Sequence, residues 1–141
     1  MVAKQVVSHD PERTPMPPCF FVSLEMPTEE LVLRVTQDIT KMSEDEICFG
    51  DMPPQEDWQR ISRAADLIAR APLDINDQAG QTVEQIAAAV WRWRRRRWPK
   101  GVPKGAFGYV VIDYLTRIKK SRAGDTLQDR VTHSMEVLTT L

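Results

Sequence analysis

Short apolar runs alternate along the chain with longer stretches in which apolar residues recur every three or four positions. The first and last runs, residues 19–24 and 108–118, are rich in β-branched and aromatic side chains, which is typical of strands in a parallel sheet. A third run, residues 73–77, is short enough for a strand and is followed by a turn-forming segment. We expect the last strand, which ends at Asp113, to be buried on both faces.

The intervening stretches predict four helices, because each has an apolar stripe at helical spacing. Thr82 and Gln85 have the spacing of a capping box at the start of the third helix. Residues 41–52, by contrast, look irregular and acidic. The four predicted stripes are Leu31, Val35 and Ile39; Trp58, Ile61, Ala65 and Ile68; Val83, Ile86, Ala87, Val90 and Trp91; and Leu127, Val131, Met135 and Leu138.

The resulting order is strand, helix, helix, strand, helix, strand, helix. This alternation predicts an α/β fold in which a mostly parallel sheet is flanked by helices and joined by right-handed crossovers. Residues 1–18 differ, because four prolines between positions 9 and 18 withhold backbone donors and exclude a regular helix. We therefore interpret 1–18 as a proline-rich flexible leader and 19–141 as one domain.

Two acids follow predicted strands. Asp113 ends the last strand and Glu25 comes directly after the first. Open α/β sheets bind their ligands at the carboxyl ends of the strands, so both acids are candidate functional residues. The simpler alternative for each is an acid that ends a strand and has no further role.

Bulk composition narrows the class of protein. The 19 basic and 20 acidic residues give a formal charge of −1, which argues against a general polyanion binder and leaves only local basic patches. Cys19 and Cys48 lack metal-ligand spacing and are expected to be reduced thiols. Because no apolar run approaches the roughly 18 residues needed to span a bilayer, we predict a soluble cytoplasmic protein without a membrane partner.

Four segments together carry a family resemblance. They are residues 21–31, 56–65 with the following 71–77, 81–86 and 110–115. The most specific parts are Ser23-Leu24-Glu25-Met26 and Ile112-Asp113-Tyr114-Leu115. In this order they resemble the C-terminal ATPase domain of bacterial replicative DNA helicases of the DnaB type. The resemblance implies a partial RecA-like fold over nearly everything after residue 18.

The resemblance also implies roles for particular residues. Glu25 matches the catalytic glutamate, which polarises the water that attacks the γ-phosphate of ATP. Asp113 matches the Walker B aspartate, which organises Mg²⁺ at the phosphates. Lys119, Lys120 and Arg122 lie in the loop that faces single-stranded DNA inside a hexameric ring, although a solvated surface loop explains them equally well. The intact family couples Mg-ATP hydrolysis to movement along that DNA.

The chain departs from the family pattern in several places. It contains no Gly-x-x-x-x-Gly-Lys-Ser/Thr run, the loop that holds the β- and γ-phosphates. Thr116 and Arg117 stand where the family usually has glutamine and an apolar residue. We therefore expect a piece of a longer helicase or a truncated, phage-related gene product. We expect the isolated chain neither to bind ATP and Mg²⁺, the cofactors of the intact family, nor to hydrolyse ATP.

Two alternatives to a helicase segment remain open. One is a non-enzymatic remnant that binds single-stranded nucleic acid or joins a full-length helicase ring. The other is an unrelated α/β binding protein, for which Glu25 and Asp113 would lie on non-adjacent strands.

An arginine run, Arg94 to Arg97, ends the third predicted helix among three tryptophans. Interleaved arginines and aromatic rings can stack nucleic-acid bases. We favour the alternative that Trp91 and Trp98, seven residues apart, face the core and leave the arginines on the solvated side.

Overall fold

A computed structural model describes residues 17–48, 54–119 and 126–140. The predicted leader up to residue 16, together with Lys120 and Arg122, lies outside these ranges. The elements are β1 (Cys19–Ser23), α1 (Thr28–Thr40), α2 (Glu44–Cys48), α3 (Gln55–Arg70), β2 (Leu73–Asn76), α4 (Val83–Arg97), β3 (Tyr109–Asp113), a 3₁₀ turn (Leu115–Arg117) and α5 (Leu127–Leu138).

The described residues form two compact units. Residues 28–73 form a helical unit with α1, α2 and α3, and residues 17–27 with those from 74 onward form a sheet unit. The strand order is β2-β1-β3, and β1 and β3 run parallel with Cys19 opposite Tyr109 and Ser23 opposite Asp113. The predicted α/β class with a mostly parallel, helix-flanked sheet is confirmed.

The expectation that the last strand is buried on both faces is wrong. The buried strand is β1, which lies in the middle of the sheet, whereas β3 is at its edge among the described residues. Tyr109 and Val110 are 48% and 40% exposed. An apolar run identifies a strand but does not reveal its place in the sheet, which depends on which other strands pair with it.

The core of the sheet unit lies between β1 and α4. Phe20, Val22 and Leu24 contact α4, and Ile118, after the 3₁₀ turn, completes the cluster. The predicted capping box starts α4: Gln85 donates its backbone N–H to the Thr82 hydroxyl (3.4 Å) and accepts the Thr82 N–H on its side chain (2.9 Å). This box satisfies two of the amide groups that a helix start leaves without partners.

The tryptophan assignment is wrong in part. Trp91 is 46% exposed, whereas Trp93 is only 4% exposed and donates its indole N–H to Asp74 at 2.8 Å. Trp98 is half-buried and packs edge-on against Trp93, with 5.7 Å between the ring centroids. A ring with a polar atom can be buried when a partner exists, and Asp74 of β2 is that partner.

Two other predicted stripes are shifted. In α5 the buried residue is Ser134, while Leu127 and Met135 are exposed. In α3 the buried residue is Ala64, while Trp58 is 61% exposed. The stripe of α1 is confirmed at Leu31 and Val35, which are buried.

The stretch predicted to be irregular contains the short helix α2. The Glu46 carboxylate accepts hydrogen bonds from the backbone N–H and the hydroxyl of Ser43, both at 2.7 Å. These bonds to Ser43 lower the pKa of Glu46. The acidic stretch therefore starts a helix, because an acid at the third position caps it.

Both cysteines are unpaired, Cys19 buried in β1 and Cys48 exposed at the end of α2. Burial raises the pKa of the Cys19 thiol to about 11. Among the described helices, none combines the length and apolar character needed to cross a membrane.

Candidate functional site

The carboxyl ends of β1 and β3 lie side by side where the two strands finish. We call this end of the sheet the carboxylate edge; it differs from the lateral edge that β3 forms. The backbone N–H of Leu24 donates to the carbonyl of Asp113 at 2.8 Å, which continues the parallel pairing one residue past β1. The Ser23 hydroxyl then donates to the Met26 carbonyl at 2.6 Å and so closes a turn around Glu25. Glu25 and Asp113 are thus brought to the same edge from neighbouring strands, and the alternative that required non-adjacent strands is not supported.

The Glu25 carboxylate is held by Arg117. The guanidinium donates to Glu25 Oε1 at 3.0 Å, and its Nε donates to the hydroxyl of Tyr114 at 2.9 Å. The Tyr114 hydroxyl and, after it, the Glu25 carboxylate raise the pKa of Arg117. Both side chains of the Glu25–Arg117 pair are about half exposed, so solvent screens the attraction between them and the pair can open readily.

The 3₁₀ turn explains why Arg117 reaches Glu25. The peptide bond between Asp113 and Tyr114 is cis, and the turn begins directly after Tyr114. Leu115 packs against the core and Ile118 is buried, which fixes the turn at both ends. Arg117 lies between these two anchors, and its side chain extends over the edge where β1 ends.

Asp113 has a different environment. Its side chain is exposed, and within the described residues its carboxylate has no hydrogen-bond or salt-bridge partner. No group of three or more potential metal ligands occurs in that part of the chain. Mg²⁺ is commonly held by one or two carboxylates together with substrate phosphates and water, so an unpaired carboxylate at this edge fits such a role.

Of the three predicted DNA-contacting residues, only Lys119 can be located. Its side chain is exposed, and its backbone N–H donates to the carbonyl of the buried Gln81 at 2.8 Å. Arg130 of α5 donates to the neighbouring Ile118 carbonyl at 3.1 Å. The start of the loop is therefore fixed to the segment before α4 and to α5, whereas Lys120 and Arg122 fall outside the described residues.

The contribution of Arg117 and Tyr114 was not predicted from the sequence. Arg117 stood out only as a departure from the family pattern, and Tyr114 only as part of a motif. Arg117 lies four residues after Asp113 and 92 positions after Glu25, and nothing in this spacing indicates that its guanidinium contacts Glu25. The 3₁₀ turn creates this contact, and apolar periodicity does not detect such turns.

Comparison with known proteins places this geometry in a family. Residues 1–141 match the DnaB-like helicase C terminal domain. A replicative DNA helicase DnaB of Pasteurella multocida is 28% identical over 99 residues, which is 70% of this chain and 20% of that protein. The corresponding protein of Mycobacterium intracellulare is 31% identical over 106 residues, 75% of this chain and 17% of that protein.

Two solved structures share the fold. One is an ATPase domain, which superposes with a TM-score of 0.72 at 25% identity and covers 88% of this chain and 42% of that one. A DnaB-like replicative helicase, whose structure was described with its interactions with primase, gives a TM-score of 0.74 at 25% identity and covers 88% and 29%. The chain spans about a fifth of the length of the curated relatives that it matches. It belongs to the family of DnaB-like helicase C-terminal domains.

Proposed function

We propose that this chain supplies the two carboxylates of an ATP-hydrolysing site in a DnaB-type replicative helicase. The observation that carries the proposal is the parallel pairing of β1 with β3, because it directs Glu25 and Asp113 to one edge of the sheet. In this proposal Glu25 orients the attacking water. Asp113 holds Mg²⁺, directly or through water, at the phosphates of ATP.

Membership of the DnaB-like family supports a particular assembly around this site. The working form is a ring of six subunits in the cytoplasm, with ATP bound between subunits and single-stranded DNA in the central channel. The chain has no Gly-x-x-x-x-Gly-Lys-Ser/Thr loop, so another segment or another protein has to hold the β- and γ-phosphates. We therefore expect no measurable ATP hydrolysis by this chain alone.

Arg117 adds a condition to the proposed role of Glu25. A carboxylate that accepts a hydrogen bond from a guanidinium at 3.0 Å is a weaker acceptor for a water proton. Because the pair is exposed and weak, a ligand at the edge of the sheet can separate it. Glu25 then acts only after Arg117 has moved.

Mn²⁺ at millimolar concentration, without ATP, tests the carboxylate edge without requiring nucleotide binding or turnover. Mn²⁺ replaces Mg²⁺ at oxygen ligands and broadens the NMR signals of nearby nuclei. We expect broadening of the backbone amides of residues 24–26 and 113–115 and its loss in Asp113→Asn. Asp66→Asn is the matched control, because it removes an exposed carboxylate from α3 of the helical unit and leaves the edge intact.

Two results would contradict the proposal. The first is broadening that persists in Asp113→Asn or that centres on residues away from the edge. The second is Mg-dependent ATP hydrolysis by the isolated chain that Glu25→Gln abolishes, which would show a complete site.

A second candidate function is supported by the exposed Lys119 beside this edge. We propose as an alternative that the chain binds single-stranded nucleic acid without nucleotide, or joins a full-length helicase ring. Removing one phosphate contact lowers the slope of log affinity against log salt by about 0.7 for single strands. Lys119→Gln is therefore expected to reduce the slope for oligo-dT by about that amount, and Arg70→Gln in the helical unit is expected to leave it unchanged. Equal slopes for both variants would exclude a contact at Lys119.

A further inference from the structure

A groove lies at the amino end of β3, at the opposite end of that strand from Asp113. The second half of α4 and the loop before β3 enclose about 240 Å³ between them. The lining is apolar, with Val90, Trp98, Val102, Phe107 and Val110 among its residues, and Arg94 is the one charged residue that lines it. We call the groove that these six residues form the basic groove, because its charged residue is an arginine and further basic residues surround it.

All the charged residues in the chain around the basic groove are basic. Residues 85–112 contain five arginines and two lysines and no acid, although the whole chain has a formal charge of −1. Arg96 pairs with Asp74 at 3.2 Å. The other basic residues outside the groove are exposed and form no salt bridge within the described part of the chain: Arg92, Arg95, Arg97, Lys100 and Lys104. A positive field over an apolar groove selects a ligand that combines carboxylates or phosphates with an apolar part.

The aromatic rings of this region favour an aliphatic anchor over a nucleobase. Trp93 stacks on Phe20 at 5.5 Å and meets the edge of Trp98 at 5.7 Å, so both indoles already have ring partners. The Arg94 guanidinium lies over the ring of Trp91, 5.0 Å from its centroid. Base stacking needs an accessible aromatic face, and these tryptophans offer edges and occupied faces instead. The exposed ring of Phe107 is itself in edge-to-face contact with Tyr109, with 5.8 Å between the ring centroids.

The volume indicates the kind of occupant. Small-molecule pockets usually enclose roughly 300–1,000 Å³, and this groove is smaller. Phe107 and Val102 are 59% and 36% exposed, so the apolar surface is open to an incoming side chain. Apolar anchors in a pocket with a charged rim are the usual form of a peptide-binding site. We propose that the basic groove binds an acidic segment of another protein, with its aliphatic side chains in the groove and its carboxylates on the surrounding arginines and lysines.

The test uses a short fluorescein-labelled peptide in which a pair of leucines is flanked by glutamates, with binding followed by fluorescence anisotropy on the full chain. Arg94→Gln and Phe107→Ser are each expected to weaken binding about tenfold or more, because they remove a groove charge and an apolar wall. Arg63→Gln is the matched control, since it removes the same charge from an exposed position of α3 in the helical unit, which belongs neither to the groove nor to its surrounding arginines and lysines. We expect it to change the affinity by no more than about twofold.

Three comparisons decide the outcome. Peptides with glutamine for glutamate, or serine for leucine, are expected to bind at least about tenfold more weakly. Phe107 is mostly exposed, so Phe107→Ser keeps the test valid if Arg94→Gln perturbs the fold, and circular dichroism checks both. Equal weakening in Arg63→Gln and Arg94→Gln, no binding of the peptide, or tighter binding of labelled oligo-dT than of the peptide would each overturn the proposal. The last result would assign the surface to nucleic acid.

Discussion

At the scale of single residues, the contact between Glu25 and Arg117 separates this chain from the family pattern. The resemblance to DnaB-type helicases implies an apolar residue where Arg117 stands, and an apolar side chain cannot pair with a carboxylate. Here the guanidinium is fixed by Tyr114 at 2.9 Å and is therefore oriented before it meets Glu25. One residue, Arg117, thus changes the surroundings of Glu25, the proposed hydrolytic carboxylate, without any change in the position of β1.

Gly108 is a second residue whose identity follows from geometry. A Cβ atom there would lie 2.9 Å from the carbonyl oxygen of Pro18 and 3.0 Å from Trp93 Cη2. That oxygen is fixed, because it accepts the backbone N–H of Tyr109 at 2.8 Å where the β1–β3 pairing begins. We predict that Gly108→Ala lowers the free energy of unfolding by about 1–3 kcal/mol, the usual cost of overpacking.

Urea denaturation followed by circular dichroism measures this effect. Ala106→Ser, two residues earlier at an exposed position, is the control and is expected to change stability by less than about 0.5 kcal/mol. A Gly108→Ala variant as stable as the wild type would show that β3 can move away from Pro18.

At the scale of elements, two helices begin with the same motif built from different chemistry. The α4 box uses the neutral Gln85, whereas the α5 box uses Asp129, which accepts the N–H and the hydroxyl of Thr126 at 2.9 and 2.6 Å. The hydrogen bonds from Thr126 lower the pKa of Asp129 below its ordinary value of 3.8. Of the α4 and α5 caps, only the α5 cap therefore contains a group that titrates.

This difference predicts a selective effect of acid. A carboxylate with a lowered pKa contributes stability that is present above about pH 3.8 and is lost as the pH falls through the lower pKa of the folded state. We expect the first turn of α5 to loosen in this range while that of α4 stays intact, as measured by ¹³Cα chemical shifts of residues 127–130 and 83–86. Asp129→Asn should remove the pH dependence. Simultaneous loosening of both turns would instead indicate general acid unfolding.

The elements also show how far the sequence alone leads. Strand positions, the α4 cap and the stripe of α1 follow from period and cap chemistry, which are local properties. The burial of Trp93 in place of Trp91 depends on Asp74, and the edge position of β3 depends on strand order. Both outcomes depend on residues that are distant in the sequence. A helical stripe of apolar residues therefore predicts the buried face of a helix only when another element packs against each of those residues.

At the scale of the whole molecule, the position of the candidate site could be predicted because its two carboxylates belong to two sequence motifs, Ser23-Leu24-Glu25-Met26 and Ile112-Asp113-Tyr114-Leu115. Glu25 and Asp113 each follow an apolar run, and the pairing of these runs brings the carboxylates to one edge. The partner of Glu25 was not predictable, because it depends on a turn that no residue pattern marks. Charge also has a pattern at this scale: residues 85–112 carry only positive charge, so the remaining chain carries the compensating acidic excess.

The two cysteines have a practical consequence at this scale. Cys19 lies in the sheet unit with a pKa of about 11, and Cys48 is exposed in the helical unit. Because the thiolate is the reactive form, a maleimide dye at neutral pH attaches to Cys48 and leaves Cys19 untouched. In a Trp58→Phe variant, which removes the tryptophan of the helical unit, energy transfer from the tryptophans of the sheet unit to that dye can then measure the distance between the two units in solution, without an engineered cysteine.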